Sequence, residues 1–104
     1  MIISTTDNIP HKEISEILGI AKGSTVRARH LGRDIFATLK NIVGGEIDEY
    51  TKLLAQSREQ AMERMILDAT KMGADALVNV RLTTSMVMEA TSEILAYGTA
   101  VRLK

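Results

Sequence analysis

Three arginines, Arg27, Arg29 and Arg33, form a basic cluster whose types and spacing suit an anion. If the segment around Val26 is a strand, Arg27 and Arg29 share a face. Arg33 then opens a short helical pattern, where free backbone N–H groups favour negative charge. Gly32 would let a ligand approach the backbone closely. The competing reading pairs these arginines with Asp34, Glu46 or acids of a neighbouring subunit.

Soft metal ions prefer thiolate, thioether or imidazole. The chain has no cysteine, two histidines (His11 and His30) and six methionines. Met62 and Met65 stand at i and i+3 of a helical pattern, Met86 and Met88 at i and i+2 of an alternating one, so each pair shares a face. Methionine also fills irregular core gaps. Met65 falls in the main helix stripe, and Met86 and Met88 share parity with Val78, Val80 and Leu82, which are core positions. Neither histidine has a partner at ligand spacing. Glu59 and Glu63 share a helix face but stand among Arg58 and Arg64, which reads as a solvated surface.

A nucleophile needs a positioned base and an orienting group. The hydroxyls of Ser4, Thr5, Thr6, Thr83, Thr84 and Ser85 stand in β-favouring runs with no histidine motif beside them, and no phosphate-binding glycine pattern occurs. The expectation is therefore a protein without catalytic site or cofactor.

Composition narrows the field further. The chain has 104 residues, 13 basic and 13 acidic side chains, 45% hydrophobic residues and 3% aromatic ones. Zero formal charge and few stacking rings argue against nucleic acid as a partner. No apolar run approaches the roughly 20 residues a membrane span needs, and the N-terminus lacks the pattern of a signal peptide. Absence of cysteine fits a reducing cytoplasm, the expected location. No linker or repeat divides the chain, so residues 1–104 read as one domain.

The elements that would position these groups follow from periodicity. Residues 2–6 are β-branched and hydroxyl-rich and predict a strand. Residues 11–20 fit helical and strand spacing equally. From Arg33 to Val43 apolar residues recur at three and four, a short helix stopped by Gly44-Gly45. A long helix runs from an Asp48 cap to Met72, with Gly73 as its stop. Its apolar stripe comprises Tyr50, Leu54, Ala61, Met65, Ala69 and Met72, and Asp48/Lys52 and Arg64/Asp68 lace its outer face. Val78, Val80 and Leu82, then Leu95, Tyr97, Thr99, Val101 and Leu103, alternate as a hairpin connected through residues 89–92. Helices in mid-chain and strands at both ends give an α+β domain of two layers, with an antiparallel sheet.

A helix over 48–72 would be about 37 Å long, against a diameter of roughly 33 Å for a compact chain of this size. It spans or overhangs the subunit. Apolar residues beyond the stripe, Leu53 and Leu67, then need another surface, and a symmetric homo-oligomer is the common supply.

Four motifs, Arg33-Asp34-Ile35, Ile42-Val43-Gly44-Gly45 followed by Tyr50, Gly73-Ala74-Asp75-Ala76, and Gly98-Thr99-Ala100-Val101, in this order and spacing, resemble the YbjQ-like family of small uncharacterised bacterial proteins. The resemblance covers nearly the whole chain. It implies a dodecin-subunit-like α+β fold, with one short and one long helix and an antiparallel sheet, assembled as a homopentameric ring. It also implies that residues 12–29 form a long bent strand broken at Gly19 and Gly23. The family carries a heavy-metal-binding label inherited from distant similarity, with no established reaction. Many relatives carry Arg after the glycine pair, where this chain has Glu46.

Overall fold

The computed structural model describes residues 1–28, 45–88 and 91–104. The elements are β1 (Ile2–Ile3), β2 (Ile14–Ala28), α1 (Gly45–Lys71), β3 (Ala76–Met88) and β4 (Thr91–Leu103). The strands form a four-stranded sheet in the order β1-β3-β4-β2. The class is α+β, as the periodicity requires, but the sheet is mixed. β2 and β3 both flank β4 in antiparallel fashion, whereas β1 lies parallel to β3 through Ile2 opposite Ala76 and Ile3 opposite Leu77.

The predicted strand over residues 2–6 is regular only at Ile2–Ile3. Its continuation still feeds the ladder. Ser4 N–H bonds to Leu77 O, Val80 N–H to Ser4 O, and Asn79 N–H to Thr6 O. The short helix expected over 33–43 lies outside the described residues.

Helix α1 is built from strong helix formers without internal glycine or proline beyond its first residue. It spans Gly45–Lys71, so Asp48 stands inside it rather than capping it. Its C-terminus closes as the glycine predicts. Gly73, at φ +84°, sends its N–H to Thr70 O while Ala74 N–H reaches Ala69 O, the paired bonds that satisfy the last carbonyls of a helix. Lys71 in the last turn complements the helix dipole.

The face of α1 that meets the sheet carries Ala61, Met65 and Ala69, all fully buried against Ala21, Leu77, Val80, Ile94, Ala96 and Ala100. Small residues dominate the sheet side because the helix lies close. A methyl group on Gly23 would overlap the backbone of Met65 and Ala61. Gly23 is therefore no break in the strand; it pairs in register with Ala96, and β2 runs on to Ala28. The irregularities of β2 lie between Ile14 and Glu16 and between Ile17 and Gly19.

The alternation predicted for β3 is reset by a bulge. Val78 faces Thr99 but Arg81 faces Tyr97, so Asn79 and Val80 together oppose Gly98. Asn79 adopts φ +53°, a conformation that asparagine tolerates better than most residues. Consequently Val78 and Val80 lie on opposite faces. Val80 joins the helix-side core, while Ala76 and Val78 join Val101 on the other side, covered by Ile9, Ile14 and Leu103. A side chain on Gly98 would press on Val80 Cγ2 at 2.9 Å and Val78 O at 3.2 Å, which explains the glycine. The predicted connection shrinks too, since Thr91 and Ser92 belong to β4.

Candidate functional site

Strand β2 is an edge of the sheet, and its middle is guarded by α1. Asp68 Oδ2 accepts the Lys22 N–H at 3.0 Å, and Arg64 donates through one terminal nitrogen to Ser24 O. The predicted Arg64/Asp68 pair along the helix is thereby replaced: both side chains reach across to the strand. Two turns earlier, the hydroxyl of Thr25 donates to Ser57 O at 3.1 Å in a buried contact that ties strand to helix.

Where the Arg64 side chain crosses the edge it forms one wall of an open groove of about 550 Å³, lined by Lys22, Gly23, Ser24, Arg64, Glu93 and Leu95. Register explains the lining. Ser24 pairs with Leu95 and Val26 with Glu93, so Lys22, Ser24, Leu95 and Glu93 share the sheet face turned away from α1. The groove thus has cations at one end, an acid at the other and an apolar floor between them. No sequence motif marks it, because Lys22, Arg64 and Glu93 are brought together only by the β2–β4 register and the docking of α1.

The residues expected from sequence fare unequally. Arg27 occupies a β2 position opposite Ser92. Arg29, His30, Arg33, Asp34 and Gly44 lie outside the described residues, and with them most of the basic cluster. His11 is exposed in the tight turn Ile9–Lys12, closed by Lys12 N–H to Ile9 O, and has φ +64°. Met65 is fully buried and Met62 packs partly buried beside it, as core residues. Met86 and Met88 are positions of β3, with a register shift against β4 between them. Among the described residues no group of three or more His, Asp or Glu side chains could hold a metal ion.

Two of the recognised motifs have visible structural duties. Gly73 and Ala74 terminate α1, and Asp75 sends its N–H to Val101 O while its Oδ2 accepts the Leu103 N–H at 2.9 Å. Arg102 Nε donates to Gly73 O at 3.2 Å, placing a cation on the helix C-terminus. Gly98 fits the bulge. Tyr50 and Gly45 belong to the first turns of α1.

A family model described as "Putative heavy-metal-binding" matches residues 1–104. A UPF0145 protein from Archaeoglobus fulgidus is 60% identical over 104 residues, covering 100% of this chain and 96% of its own. One from Methanosarcina acetivorans is 60% identical over 103 residues, covering 99% and 97%. A third, from Psychromonas ingrahamii, is 55% identical over 104 residues, covering 100% and 99%. Relatives therefore occur in archaea as well as bacteria. A crystal structure of a protein of unknown function of the DUF74 family from Pediococcus pentosaceus superimposes with a TM-score of 0.65 at 15% identity, covering 100% of this chain and 98% of that one. That likeness concerns the fold. Among the described residues no helix is long and apolar enough to cross a membrane.

Proposed function

The chain belongs to the YbjQ-like family, and from that membership and its open sheet edges we propose that it is a non-catalytic, ring-forming homo-oligomeric subunit of the cytoplasm. The observation that carries this reading is a sheet with an open edge on both sides among the described residues. Among the described residues, the outer edge of β2 beyond the guard at Lys22–Ser24 has no strand partner, and β1 covers only the start of β3, with no strand beside Leu82–Met88. Exposed strand edges are ready templates for another chain. Apolar residues mark the same strand: Ile17 is 71% and Ile20 69% exposed, on the sheet face away from α1.

The two open edges differ, so joining β2 of one copy to β3 of the next is a head-to-tail contact, which closes into a ring when the rotation permits. Five subunits is the number implied by the family resemblance. Light scattering on the full chain at micromolar concentration tests the reading. The expected mass is a multiple of the subunit's 11.4 kDa, near five; the subunit mass itself would overturn it.

The family description supports heavy-metal binding as a second reading. Titration with Cu(I), Zn(II) and Ni(II) under reducing conditions decides it: saturable binding at or below about micromolar supports a site, and its absence for all three removes the reading.

A further inference from the structure

The groove beside the β2 edge combines features that a plain charged surface lacks. Arg64 is held in place by its bond to Ser24 O, which uses one of five N–H donors in the guanidinium and leaves the fork preset. Lys22 lines the same end and takes part in no salt bridge among the described residues. Glu93 stands four residues along β4 from Tyr97, the partner of Lys22, a separation of about 13 Å along the strand. Leu95 lies between them, half-buried, and the Gly23 backbone lines the groove beside it. Both side chains line the groove, and side chains of this length can bring their charged ends closer together than their backbones.

We propose that this groove binds a small zwitterion in which an oxyanion is joined by a short aliphatic spacer to an amine. Lys22 and Arg64 hold the oxyanion, Leu95 supports the spacer and Glu93 accepts from the ammonium. The acid selects against simple polyanions, since the three side chains sum to a single positive charge. Asp68 does not compete for the amine, because its carboxylate is engaged by the Lys22 N–H.

The test is an amide NMR titration of the full-length chain with O-phosphoethanolamine and, separately, with inorganic phosphate. Saturable shifts at Gly23, Ser24 and Leu95 are expected with O-phosphoethanolamine, and weaker binding with phosphate. Lys22→Ala, at an exposed position that leaves the Arg64 bond intact, should weaken the first probe about tenfold, the effect of one charge-assisted bond. Glu93→Gln should weaken O-phosphoethanolamine and leave phosphate unchanged. Non-saturating shifts, or affinity unchanged by Lys22→Ala, would overturn the proposal, as would equal affinity for both probes in Glu93→Gln and the parent chain. Subunit mass is read separately, so failure of the groove and failure of assembly are told apart.

Discussion

Gly23 shows how a single absent side chain sets the position of the long helix. A built Cβ there lies 2.6 Å from the Arg64 carbonyl carbon and closer still to the neighbouring helix backbone, none of which can yield as a side-chain tip would. Gly23→Ala must therefore push α1 outward, opening the contact of Ala61 and Met65 with the sheet. The expected loss is about 3 kcal/mol, the upper end of overpacking penalties, read as a lower urea midpoint. Gly98→Ala meets the Val80 methyl group first, and a side chain can adjust, so about 1 kcal/mol is expected. If the two variants were equally stable, the close helix–strand approach would not be what Gly23 serves. Thr25→Val tests the neighbouring polar tie. It removes the donor to Ser57 O from a buried site, and about 1 kcal/mol should follow in the same measurement.

Elements were legible in the sequence wherever one periodicity ran uninterrupted. The stripe Ala61, Met65, Ala69 found the core side of α1, and Gly73 found its end, because both signals are local. The parity of β3 is not legible because a bulge costs one residue of register and leaves no pattern of its own; only Asn79 beside Val80, opposite Gly98, betrays it. β1 was seen as a strand but not as a parallel one, since its partner lies over seventy positions away. For the same reason no local pattern marks the groove: Lys22, Arg64 and Glu93 belong to three elements. The guard on the β2 edge is the element-scale consequence of that packing. Asp68→Ala removes the acceptor of the Lys22 N–H, so amide exchange at Lys22 should accelerate at least tenfold while Gly23, bonded within the ladder, changes little. Equal acceleration at both positions would show that the helix had loosened as a whole.

At the scale of the molecule, the subunit is too extended for its length. Its radius of gyration is 17.0 Å and its extents are 55 × 27 × 18 Å, whereas a compact chain of this size has a radius near 13 Å. The 27-residue helix is about 40 Å long, and Leu54, in line with its core stripe, is still 39% exposed. Ile17 and Ile20 are left open on the far face of the sheet. Such a subunit exposes apolar surface that burial against another copy would remove from water, and stability that depends on a partner rises with concentration. Tm should therefore climb by several degrees between 1 and 100 µM subunit, each tenfold step adding about 1.4 kcal/mol per binding contact. Ile20→Lys places a charge on the open face without touching the helix-side core. It should lower the assembled mass, flatten the concentration dependence, and leave the amide spectrum of Ala61, Met65 and Ala69 close to that of the parent. A variant that keeps the full mass and the same concentration dependence would show that this face is not where copies meet.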